Sequence, residues 1–162
     1  MKLKGFTLIE LMITVVVVAV LSTIGIASYT YLLRKNEQQT ILDELRTAVQ
    51  FAKIQAMITG RPVYLSPVDA LSGWSNGLKL SALNQQTHKM DLLYQWQWQH
   101  PRWRLTWKGA QASDKIVVSN NPATAITNGR FSLVNVDSHQ HVGIILNRLG
   151  RIRLSNSLSE VG

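Results

Sequence analysis

No cysteine occurs among the 162 residues. Structural disulfides, thiolate metal sites and a cysteine nucleophile are therefore excluded, while the redox compartment stays open, because an oxidising compartment permits disulfides without requiring them. Charge is scarce as well: 16% of residues are charged, against roughly 25% in an ordinary soluble domain. Acids are scarcer than bases, so the formal charge is 17 − 9 = +8 with the four histidines neutral. That balance favours anionic partners such as nucleic acid or a lipid surface. Catalytic signatures are missing too: there is no phosphate loop, no dinucleotide glycine pattern and no G-x-S-x-G motif. His139 and His141 lie two apart but lack a third plausible ligand nearby, which makes solvent-facing histidines the simpler reading than a metal site. The chain is read as a non-enzyme that calls for no cofactor and no metal, with room for one ordinary domain plus an extra segment.

Apolar residues are plentiful, 46% of the chain, and the excess sits at the front. Phe6 to Ala27 reads FTLIELMITVVVVAVLSTIGIA with a single charge. At about 1.5 Å per residue a helix of that length matches the roughly 30 Å of a bilayer core, so the run predicts a membrane-crossing helix. Lys2 and Lys4 precede it and no A-x-A cleavage site follows, which fits a secretory signal poorly. Arg34 and Lys35 lie beyond it, so the flanking positive charge is nearly balanced and orientation is weakly set. Glu10 interrupts the run. A carboxylate there either stays wet near the interface or meets a cation from another chain, such as the α-amine of a neighbouring helix whose leader has been cut close by.

The stretch Lys4-Gly5-Phe6-Thr7-Leu8-Ile9-Glu10-Leu11 resembles the prepilin processing motif of type IV pilins and type II secretion pseudopilins. That resemblance implies cleavage after Gly5 by the inner-membrane prepilin peptidase, N-methylation of Phe6, and use of Glu10 to engage the N-terminal amine of a neighbouring subunit during assembly. Loss of Lys2 and Lys4 would leave the mature chain at 15 − 9 = +6.

Beyond the run, Tyr29 to Thr59 contains neither proline nor glycine, and Ile41, Leu45, Ala48, Ala52 and Ala56 recur at helical steps. Gly60 and Arg61-Pro62 then stop the pattern. One helix of about 50 residues is the simplest reading, with a coiled coil over 36 to 59 as the alternative. Short apolar stretches follow: Pro62–Leu65, Leu78–Leu80, Met90–Gln99, Arg102–Thr106, Lys115–Ser119, Phe131–Val136, Val142–Leu146 and Ile152–Leu154 are expected strands of an antiparallel β domain. Ser66 to Ser75 reads as a loop, with a turn at Asn76-Gly77.

Leu45 to Ser66, Gly73-Trp74-Ser75-Asn76-Gly77, Asn128-Gly129-Arg130-Phe131 and Leu149-Gly150-Arg151-Ile152-Arg153 resemble the GspH/FimT group of minor pilins and pseudopilins. Many of those relatives carry a cysteine where this chain has Ser66, so a disulfide tethering the following loop is absent. The resemblance implies an α+β, type IV pilin-like fold: leader 1–5, transmembrane or filament-core helix 6–28, amphipathic continuation 29–60, and an antiparallel β domain 61–162. It implies single-pass insertion in the bacterial inner membrane before assembly, with the C-terminal domain in the periplasm, followed by incorporation into a pilus or pseudopilus. Other major and minor pilins and the prepilin peptidase are the implied partners.

Two constellations remain. Trp96 and Trp98 share one strand face, and Trp103, Leu105 and Trp107 another, opposite Arg102, Arg104, Thr106 and Lys108. Core packing is the first reading of the tryptophans, and stacking platforms for single-stranded bases the second. Arg148, Arg151 and Arg153 cluster near the C-terminus, and the latter two project together if the segment is extended. Paired guanidinium forks suit successive phosphates, whereas a charged strand face also serves solubility and edge protection. In the FimT-type minor pilins of natural transformation a glycine-arginine-x-arginine pattern accompanies DNA binding, and Gly150 to Arg153 matches it. The resemblance thus implies capture of extracellular DNA by sequence-independent phosphate contacts at Arg151 and Arg153, with Arg148, Lys115 and Arg130 as additions. The alternative is a structural minor pseudopilin of type II secretion, or a pilus-priming subunit, that binds no DNA.

Overall fold

The computed structural model describes residues 7–69, 73–110, 114–121 and 126–155, with only the helical backbone over 23–27. Gly5 and Phe6, the expected processing pair, lie outside the described residues. Among the described residues one helix, α1 (Leu8–Thr59), precedes eight strands: β1 (Val63–Asp69), β2 (Gly73–Leu83), β3 (Met90–Gln97), β4 (Trp103–Gly109), β5 (Ile116–Val118), β6 (Gly129–Asn135), β7 (His141–Leu146) and β8 (Ile152–Ser155). The α+β class and the eight expected strand positions are therefore found. The chain divides into two compact units, one up to Ile41 and one from Leu42.

In the first unit the helical side chains from Leu8 to Leu21 are exposed, Leu8 by 80%. The expectation of a transmembrane first half is corrected. Among the described residues no helix is long and apolar enough to cross a membrane, so single-pass inner-membrane topology is not supported. Farther along, Arg34, Lys35 and Glu37 make the helix surface polar.

The second unit begins on the helix. Leu42, Leu45, Ala48, Val49, Ala52 and Ala56 are buried, one face at steps of three and four. The helix ends at Gly60 (φ +66°), whose left-handed conformation a glycine adopts without steric cost, ahead of Pro62.

Two antiparallel four-stranded sheets complete this unit, ordered β3-β2-β1-β5 and β4-β6-β7-β8. Val63, Leu65, Leu78, Leu80, Ile116 and Val118 line the buried side of the first, and Leu105, Phe131, Leu133, Ile144, Leu146 and Ile152 that of the second. The expected loop and turn before β2 are corrected. Asn76-Gly77 lies within β2, opposite Gln97, and a Cβ on Gly77 would collide with the Trp96 carbonyl. Glycine is required there by the close approach of β3 rather than by a reversal. The chain instead reverses after Asp69, which pairs with Gly73. Ser66 is held in the ladder opposite Lys79, so strand pairing fixes the segment that lacks a disulfide.

The sheets are joined by Ser75, whose Oγ accepts from the Leu105 amide at 2.9 Å. Around it, Phe131 packs against Trp74 and Trp107 at ring separations of 5.3 and 4.5 Å. Trp74, Trp98 and Trp103 are buried and Trp96 and Trp107 half-buried. Packing is thus the main role of the tryptophans. Trp96 joins Phe51 of the helix and Tyr94 in a second ring cluster, at 5.6 and 4.6 Å.

Candidate functional site

At the start of α1, Thr7 and Glu10 close on each other. The Thr7 amide donates to Glu10 Oε2 at 2.9 Å and the Thr7 hydroxyl donates to the same oxygen at 2.8 Å. In return the Glu10 amide donates to Thr7 Oγ1 at 3.3 Å. This is a capping box, in which two otherwise unpartnered first-turn amides are satisfied reciprocally. The Thr7 amide, then the Thr7 hydroxyl, holds the Glu10 carboxyl below its usual pKa, against a smaller opposing effect of desolvation. Glu10 is therefore an exposed, ionised carboxylate poised at a helix N-terminus. The threonine-x-x-glutamate spacing ahead of an apolar run carries this cap in the sequence, a local role beside the wet or intermolecular one expected of Glu10.

Of the five cations singled out from the sequence, Arg130, Arg148, Arg151 and Arg153 lie on or beside β6, β7 and β8, and Lys115 does not. Arg148 and Arg151 flank the turn between β7 and β8, and Arg153 lies in β8 opposite Ile145. Arg130 lies in β6, also opposite Ile145, and its guanidinium reaches across Gly143 to Ser155 Oγ at 3.5 Å. Lys115 precedes β5, which belongs to the other sheet. Arg151 and Arg153 are both exposed with Ile152 buried between them, as the alternation of a strand requires.

The turn itself explains why glycine precedes that pair. Gly150 donates to the Asn147 carbonyl at 2.9 Å and Asn147 donates to the Arg151 carbonyl at 3.1 Å. The Asn147 side chain accepts from the Leu149 and Arg151 amides at 3.0 and 2.8 Å. Gly150 has φ +76°, and a Cβ there would stand 2.7 Å from Ile126 Cδ1 and 3.2 Å from Lys53 Cδ. Its place in the motif is thus dictated by packing. Lys53 answers by donating to the Leu149 carbonyl at 3.1 Å across 96 residues of sequence. Lys53 and Arg46 are cations that the sequence reading missed, because only the fold brings the helix to this hairpin.

Elsewhere, His100 Nε2 meets Glu44 Oε2 at 2.8 Å, tying the β3–β4 connection to the helix. His139 and His141 lie at the β6–β7 turn. Among the described residues no group of three or more histidine or acidic side chains could hold a metal ion.

Comparison with known proteins gives these features a context. Residues 42–150 match the family described as type II transport protein GspH, and residues 1–26 match the prokaryotic N-terminal methylation motif. The prepilin peptidase-dependent protein D of Escherichia coli K12 is 36% identical over 80 residues, covering 48% of this chain and 49% of that protein. The chain thus spans about half the length of the curated relative it matches. Among solved structures, the type IV minor pilin FimU of Pseudomonas aeruginosa aligns at TM-score 0.56 and 20% identity, covering 75% of this chain and 90% of that one. The minor pseudopilin EpsH of the Vibrio cholerae type 2 secretion system aligns at 0.55 and 11%, covering 74% and 96%. At those identities the likeness is one of fold.

Assignment to the DNA-binding FimT-type group is corrected accordingly, and DNA uptake and competence with it. The family matched is the type II transport one, and these relatives give the FimT-type assignment no support. With the methylation motif at its head and the GspH pattern over its helix-and-sheet unit, the chain belongs to the GspH family of minor pilin and pseudopilin subunits, structural and non-catalytic proteins of pilus and pseudopilus biogenesis.

Proposed function

We propose that the protein is a structural minor pseudopilin of a type II secretion system, which enters its filament through α1 and presents the β unit at the surface. The carrying observation is the pairing, in one chain, of the methylation motif over residues 1–26 with the type II transport pattern over 42–150. The exposed apolar side chains from Leu8 to Leu21 support it. A helix apolar all round needs burial, and a bundle of like helices supplies it. In this reading the leader is removed after Gly5 and Phe6 becomes a methylated N-terminus. The ionised Glu10 then exchanges its cap for the N-terminal amine of a neighbouring subunit, a charge pair that fixes the axial register of adjacent helices.

Mass spectrometry of the chain, expressed with its prepilin peptidase, tests the first step. The expected product begins at Phe6 and carries one methyl group, and a Gly5→Leu variant stays full length. A wild-type chain that retains its first five residues in cells whose other pseudopilins are processed contradicts the reading.

A further inference from the structure

A groove of about 570 Å³ runs between α1 and the β7–β8 hairpin, lined by Arg46, Gln50, Lys53, Leu149, Arg151 and Arg153. Arg46, Gln50 and Lys53 follow at steps of four and three, so one helix face forms its wall. No carboxylate lines it. Arg46 is bonded to Asp43 at 2.8 Å beside the groove, and Lys53 spends one of its three donors on the Leu149 carbonyl. Arg151 and Arg153 stand exposed along the opposite wall.

Two further features sit with these cations. The first is a strand edge. Among the described residues β8 is the outermost strand of its sheet. The bond from the Asn147 amide to the Arg151 carbonyl sets the phase of the ladder. In an antiparallel pair, bonded and non-bonded positions alternate, so Arg153 exchanges bonds with Ile145 while the backbone groups of Ile152 and Leu154 point to the open edge. The second is apolar surface: Leu149 is 65% and Leu154 42% exposed.

We propose that this groove docks an extended acidic segment of another pilin-like subunit, which pairs with the β8 edge and lays alternate carboxylates against Arg151, Arg153 and Lys53. The proposal rests on the subunit reading given above. Charge alone would suit any polyanion, and edge amides can donate to phosphate oxygens, but the edge carbonyls need a donor and the exposed leucines an apolar partner, and a peptide strand supplies both together with carboxylates. Strand addition takes its affinity from main-chain hydrogen bonds and its selectivity from alternate side chains. A segment with acids at every second position and apolar residues between them fits the alternation of arginine, buried Ile152, arginine and exposed Leu154.

The test is fluorescence anisotropy of the full chain with a labelled peptide of alternating glutamate and valine, beside the same peptide N-methylated at alternate residues and a single-stranded oligonucleotide of equal charge. Saturable binding is expected, weakened tenfold or more by N-methylation, by the Arg151→Gln, Arg153→Gln pair, and separately by Leu154→Pro. The proline removes a donor at the open edge and no ladder bond, and circular dichroism checks that each variant is folded. If Leu154→Pro does not fold, the N-methylated peptide carries that arm. No binding by the folded wild type, binding indifferent to backbone methylation, or tighter binding of the oligonucleotide overturns the proposal. Recovery of the wild-type chain in filaments is scored in parallel: its presence without peptide binding removes the groove proposal alone, and its absence removes the subunit reading.

Discussion

Glu10 serves its own helix before it serves any neighbour. Because its folded pKa lies below the ordinary 4.5, the cap contributes stability fully above that pH and loses it as the pH falls through the lowered folded value. Amide exchange at Thr7 and Glu10, the two amides of the cap, is therefore expected to be slower relative to intrinsic rates at pH 7 than at pH 3, and a Thr7→Val variant to show faster relative exchange of the Glu10 amide at both. Equal protection at the two pH values in the wild type would contradict the capping geometry. Gly150 is the residue on which the hairpin depends. A left-handed alanine costs roughly 1–2 kcal/mol in backbone terms, and its Cβ would crowd Ile126 at 2.7 Å. Gly150→Ala is expected to lower unfolding free energy by about 2 kcal/mol or more, read from denaturant midpoints. An unchanged midpoint would mean that the turn relaxes.

At the level of elements, the helix and all eight strands were legible, because period 3.6 over Leu45 to Ala56 and period 2 over Trp103 to Lys108 each leave one apolar face. Asn76-Gly77 misled because a glycine demanded by the approach of β3 looks, in sequence, like a glycine demanded by a turn. The basic hairpin was legible from Gly150 to Arg153 alone. Its partner cations on the helix were not, since Lys53 and Leu149 are 96 residues apart and no local pattern links them. The pairing of β4 with β6 sets the half-buried Trp107 opposite Phe131. Truncating that ring cluster by Phe131→Ala is expected to cost about 3–5 kcal/mol. Ser75→Ala, which leaves the Leu105 amide without its 2.9 Å partner, is expected to cost about 1–3 kcal/mol. Thermal melts of both variants check the order, and a larger loss from Ser75→Ala would reverse the account of what joins the sheets.

Across the whole molecule, stability and assembly are divided between two units. The core from Leu42 onward contains both sheets and the helix face that covers them. A fragment beginning at residue 36 is expected to unfold in one cooperative step, by coincident near- and far-ultraviolet dichroism. The apolar helical side chains ahead of it are exposed, which suits the filament role proposed above.

The most direct measurement of this division is the amount of chain recovered in sheared filaments from cells carrying the wild type or Glu10→Gln, normalised to total chain. The expected result is wild type in the filament fraction and at least tenfold less of the variant, with the melting of the β unit unchanged. Equal recovery of the two would contradict assembly through Glu10, and absence of the wild type from filaments would contradict its role as a subunit.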